Sequence, residues 1–79
     1  MASYNYNVTS TWVSVQAGPL DINLSNVIGE LVYYCTAASL PAETFLGNVL
    51  KPNHTVPIKI ASGENLYVRA RGVVNTKKI

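Results

Sequence analysis

In the last third of the chain, apolar side chains fall on alternate positions. Val56, Ile58 and Ile60 are followed, after the polar break Ser62-Gly63-Glu64-Asn65, by Leu66, Val68 and Ala70. A period of two is the spacing at which a β-strand buries one face and shows the other. The runs predict a β-hairpin over residues 58–71, with Leu66, Val68 and Ala70 inward and Tyr67, Arg69 and Arg71 outward. Pro57 lacks an amide proton, so its strand is expected at a sheet edge. Leu20, Ile22 and Leu24 alternate with Asp21, Asn23 and Ser25 in the same way. Residues 9–15 are β-branched and aromatic, with Val13 and Val15 on one face and Trp12 and Ser14 on the other.

Residues 31–36 are apolar without alternation, which suits a central strand covered on both faces. Residues 72–76 predict a short last strand. Gly18-Pro19, Gly29 and Lys51-Pro52-Asn53-His54 supply turns. Residues 37–50 are ambiguous: Ala37 to Glu43 suits a loop or one helical turn, and Phe45, Leu46, Val49 and Leu50 fit a helix or a strand kinked at Gly47. The reading is all-β: a small antiparallel sandwich or partly open barrel of six to seven short strands. Residues 1–8 are expected to form a flexible arm, whose Tyr4 and Tyr6 could pack on a neighbour. Residues 9–79 form one β domain.

Composition changes this picture in one respect. Charged residues make up only 13% of the 79 residues, and hydrophobic ones 48%. An ordinary soluble domain carries about 25% charged residues. A low-charge surface on so small a domain is expected to be covered by other subunits, a Ser/Thr/Asn-rich neutral surface being the plainer alternative. The net charge of +2 is too mild for a nucleic-acid footprint. Positive charge gathers late, in Lys59, Arg69, Arg71, Lys77 and Lys78, whereas Asp21, Glu30 and Glu43 precede it. These halves could complement each other within one fold or between neighbours.

Catalytic chemistry has no constellation to rest on. Cys35 stands alone in an apolar run, reads as a buried thiol, and can form no intrachain disulfide. His54 sits in a polar turn. The four carboxylates and five separated glycines suggest neither a metal site nor a phosphate loop. No cofactor and no enzymatic activity are expected. The first residues lack a basic and apolar leader and no apolar run is long enough to span a bilayer, so neither secretion nor membrane insertion is expected. The sequons at Asn7, Asn23 and Asn53 are then expected to be incidental. The sharpest candidate surface is Tyr67, Arg69 and Arg71 with Trp12, read as contacts to self or to a partner protein. Stacking on single-stranded nucleic acid is the disfavoured alternative.

The Trp-Val-Ser-Val opening, Gly-Pro-Leu-Asp-Ile, the Gly-Glu turn and the closing Ser-Gly-Glu-Asn-Leu-Tyr-Val-Arg-Ala follow one another over residues 10–76. This order resembles small β-structured virion proteins of tailed bacteriophages. The resemblance implies a non-enzymatic, many-copy structural component: a head decoration (cement) protein, a head fibre or a tail component. It implies symmetric self-association, a trimer favoured, contacts with phage coat or tail proteins, and a place in the virion after synthesis in the host cytoplasm. A glycan-binding fibre or tail module, using Tyr33, Tyr34 or Tyr67, and a small single-stranded nucleic-acid-binding barrel are the alternatives.

Overall fold

A computed structural model describes residues 3–79 and is built entirely of strands. They are β1 (Ser3–Val8), β2 (Val13–Ala17), β3 (Leu20–Asn26), β4 (Val32–Ala37), β5 (Asn48–Leu50), β6 (Thr55–Ile60), β7 (Asn65–Arg69) and β8 (Gly72–Lys78). Two four-stranded antiparallel sheets face each other, in the orders β1-β8-β3-β6 and β2-β7-β4-β5. The pairings are nested. β4 pairs with β5, β3 with β6, β2 with β7 and β1 with β8. The chain is thus one long hairpin, its tip at residues 38–47, rolled so that successive pairs fall in alternate sheets. β3–β8 and β4–β7 pairings join the halves of each sheet. This is the strand order of an eight-stranded jelly roll.

The apolar faces read from the alternating segments meet between the sheets. Ile22, Leu24, Ile60 and Val74 from the first sheet pack with Val15, Val32, Leu50, Leu66 and Val68 from the second, all buried. At about 25 cal/mol per Å², a fully buried Leu or Ile contributes about 2 kcal/mol, so this one layer is the main source of stability. A register shift in β2 between Ser14 and Gln16 lets Gln16 turn toward the other sheet. Its amide donates to Tyr6 Oη at 2.7 Å and Thr76 Oγ1 at 3.3 Å, which ties the two sheets beside β1. Asn26 is buried and serves as a second tie. Its Nδ2 donates to the carbonyls of Glu30 (2.8 Å) and Leu50 (2.9 Å), and its Oδ1 accepts from the Ile28 amide at 2.9 Å.

Four expectations are corrected. The 58–71 segment is not a hairpin: β6 pairs with β3 in one sheet and β7 lies between β2 and β4 in the other. Alternation fixes which face of a strand is buried but not which strand it meets, and the Ser62–Asn65 turn carries the chain across the sandwich. That corner packs on the neighbouring one, where the Gly18 amide donates to the Glu64 carbonyl at 2.9 Å. A β-carbon at Gly18 would collide with the Ala61 carbonyl.

The segment read as a flexible arm is largely strand β1, paired with β8 from Ser3↔Lys77 to Val8↔Gly72; Met1 and Ala2 lie outside the described residues. Its backbone finds a ladder partner in the last strand, which runs to Lys78 rather than stopping near Thr76. The strand count is therefore eight rather than six to seven. For residues 37–50, where the sequence leaves loop, helix and kinked strand all open, the structure takes the loop and the strand: β4 ends at Ala37, residues 38–47 form a loop, and β5 follows. Pro57 does lie on an edge strand, and β4 is interior to its sheet.

Candidate assembly surface and groove

Residues 38–47, the tip of the long hairpin, fold back as a strap over the outer face of the second sheet. Beneath it Trp12, Cys35 and Tyr67 form a second apolar cluster, with Tyr33 and Ala37 packed at its margin. The register places these side chains together: Cys35 faces Tyr67 and Tyr33 faces Arg69 across the β4–β7 ladder. A strand with apolar residues on both faces, as β4 has, needs a cover on each side, and here the strap supplies the outer one.

Trp12 and Arg69, which also contact each other, hold the strap down. The Trp12 indole Nε1–H donates to the Ala42 carbonyl at 3.2 Å. The Phe45 ring lies tilted at 38° with its centroid 6.2 Å from that of Trp12. The Arg69 guanidinium lies over Trp12, its carbon 5.3 Å from the ring centroid. The same guanidinium donates to the Glu43 carbonyl at 2.8 Å and stands 3.7 Å from the Glu43 carboxylate. The strap rejoins the sheet through Gly47, at φ 69°. A β-carbon at Gly47 would stand 2.9 Å from both Trp12 Cη2 and the Tyr34 carbonyl oxygen, so only glycine fits.

Of the four residues singled out in the sequence, the structure brings three together and changes what two of them can do. Trp12 and Tyr67 are each only 6% exposed, covered by the chain's own strap. Tyr67 does point to the outer face of its sheet, as its alternation implies, but that face is occupied. Arg69 is engaged with Trp12 and Glu43. Arg71 lies beyond the end of β7 and is exposed; among the described residues it has no ion-pair partner. Part of the opposite charge is complemented internally: Glu43 meets Arg69, and Asp21 faces Lys59 across β3 and β6.

The strap's outward side is what the sequence reading missed. Leu40 is 65% exposed, Leu46 73%, Phe45 50%, and Val49 on the adjoining β5 50%. These belong to the segment whose apolar spacing fits helix and strand equally, and that ambiguity hides which of its side chains face outward. Alongside the strap runs a trough in two lobes that share Tyr33 and Arg69. One is lined by Ser10, Glu30, Leu31, Tyr33, Arg69, Ala70 and Arg71, the other by Tyr33, Glu43, Thr44, Leu46 and Arg69.

Burial raises the Cys35 thiol above its ordinary value of 9.0, so it stays protonated and unreactive near neutrality. Among the described residues no group of three His, Cys, Asp or Glu side chains is placed to hold a metal ion. Comparison of the chain with known proteins returned no matching family model, no matching curated protein and no matching solved structure.

Proposed function

We propose that this chain is a non-enzymatic structural component of a phage virion, best read as a capsid decoration protein that acts by self-association and by contact with coat subunits. The observation that carries this reading is the strap. Three apolar side chains, Leu40, Phe45 and Leu46, stand exposed on a segment pinned to the sheet by Trp12 and Arg69, with Val49 exposed on the adjoining β5, on a chain of low charge content. A large exposed apolar group costs solubility and is retained where a partner covers it. Pinning the strap beforehand spares the complex the entropy of ordering it.

The jelly-roll strand order supports the reading only by analogy, because viral capsid domains use it and so do lectins and cupins. The proposal relocates the contact surface: Leu40, Phe45, Leu46 and Val49, with Arg71 at the rim, take the place of Trp12 and Tyr67. Light scattering of the wild type and of Leu46→Glu with Phe45→Glu tests it. The wild type is expected to be oligomeric, a trimer favoured, and the variant monomeric with unchanged circular dichroism. A wild type that is monomeric and does not sediment with coat-protein shells would overturn it.

A further inference from the structure

The two sheets leave four edge strands: β1 and β6 in the first, β2 and β5 in the second. An edge strand offers a row of backbone N–H and C=O groups on which another strand can pair. Proteins that stay apart blunt such edges by shortness, bulges, proline or lysine. Three of the four edges carry one of these guards. β5 is three residues long, the register of β2 shifts between Ser14 and Gln16, and β6 contains Pro57 and Lys59. β1 carries none. Its six residues, Ser-Tyr-Asn-Tyr-Asn-Val, include no proline and no charged side chain. They pair with β8 in unbroken register from Ser3 to Val8. The strand is also held in place, because Tyr6 Oη accepts from Gln16 of the second sheet at 2.7 Å and Val8 is buried in the core.

We infer that β1 is a self-pairing edge: it joins β1 of a second copy, antiparallel about a two-fold axis, so that two first sheets become one continuous sheet. The occupant follows from the chemistry of the strand. A two-fold contact sets a strand against itself, which like charges oppose and an uncharged strand allows. Residues opposite each other in an antiparallel pair share a face of the sheet, so self-pairing sets Asn5 opposite either Asn5 or Asn7 of the second copy. Both side chains are exposed. Asn5 already ends a polar row on the outer face. Its Oδ1 accepts from Asn75 Nδ2 at 3.0 Å, Asn75 faces Ser25, and Ser25 Oγ lies 2.8 Å from Thr55 Oγ1. That bond leaves the Asn5 amide hydrogens as donors toward the second copy. Lys77, which faces Ser3 on β8, meets its counterpart only across three strand spacings, at least about 14 Å, beyond the screening length at physiological salt. So short a strand pair is weak alone. It holds where strap-built oligomers present several edges together. The inference goes beyond the assembly reading and does not depend on it.

The test uses the full ¹⁵N-labelled chain carrying Leu46→Glu with Phe45→Glu, which removes the strap contact. A single β1 pair is expected to have a dissociation constant on the order of 1 mM, so amide signals are followed from about 0.05 to 2 mM. The expected result is concentration-dependent shifts centred on residues 3–8. Adding Asn5→Lys and Asn7→Lys sets lysine opposite lysine in either register and is expected to weaken pairing about ten-fold. Both side chains are exposed, so the remaining spectrum should keep its dispersion. The inference is overturned if the β1 signals do not move with concentration, or if the lysine variant pairs as well as its parent. It is also overturned if they move only when coat-protein shells are added, since the occupant is then a coat strand. Failure of the strap reading shows elsewhere, as oligomers of the Leu46→Glu, Phe45→Glu chain that persist in dilute solution.

Discussion

The guanidinium of Arg69 lies over the indole of Trp12, 5.3 Å from carbon to ring centroid, while donating at 2.8 Å to the carbonyl of Glu43 on the strap. One side chain thus clamps a loop to the sheet beneath it. Its charge is satisfied without leaving water altogether, since the side chain remains 24% exposed. A partly desolvated cation–π contact is worth about 0.5–2 kcal/mol and a hydrogen bond about 1 kcal/mol.

Cutting that clamp should loosen the strap before it unfolds the sandwich. Arg69→Ala is expected to cost about 1–2 kcal/mol in urea unfolding. It should also accelerate modification of Cys35, which is buried under the strap. Stopped-flow reaction with a chromogenic disulfide checks this. Equal labelling rates in wild type and variant would show that Arg69 does not hold the strap.

Gly47 should tolerate no side chain. Gly47→Ala must accommodate a β-carbon against Trp12 and the Tyr34 carbonyl at φ 69°, a strain of roughly 1–3 kcal/mol. Gly29→Ala meets no neighbouring atom and is expected to leave the thermal midpoint within a few degrees of wild type. Calorimetry on both variants should show a clearly lower midpoint only for the first.

Asn26 joins two loops from inside the fold. Asn26→Ala removes three hydrogen bonds and leaves the Leu50 carbonyl and Ile28 amide without that partner, at a cost of about 3 kcal/mol. For a chain whose total stability is only on the order of 5 kcal/mol, urea titration should show most of that stability gone.

The buried thiol gives the fold an alkaline limit. Because the folded state raises the Cys35 pKa above 9.0, the unfolded chain loses this proton first. The unfolded state then binds fewer protons, and stability falls as pH rises above about 9. Below that value the contribution is fully present and constant. Cys35→Ala should flatten this part of the slope in urea midpoints measured from pH 7 to 10.5, whereas an unchanged slope would assign it to other groups.

The fold was largely legible where one face of a strand is buried. Leu20, Ile22 and Leu24, and Leu66 and Val68, declared their inward face by period alone, and all pack against the core. Pairing was not legible. The turn after Ile60 has a hairpin's composition, yet it bridges two sheets, because a local signal carries no information about which distant strand completes the ladder. β1 reads as a polar arm because its outward positions Asn5 and Asn7 are polar and exposed on an edge strand. The candidate surface was legible as a set of residue types but not as exposure. Tyr67, Arg69 and Trp12 do converge, and it took residues 38–47, whose spacing leaves helix, loop and strand open, to bury two of them.

The assembly reading stands most directly on where the chain is found. Quantitative mass spectrometry of gradient-purified phage particles is the measurement. The account predicts the chain in a fixed ratio to the coat protein, lost from the particle fraction when Leu46 and Phe45 are both replaced by Glu. Its absence from wild-type particles, with the protein recovered free in the lysate, would contradict it.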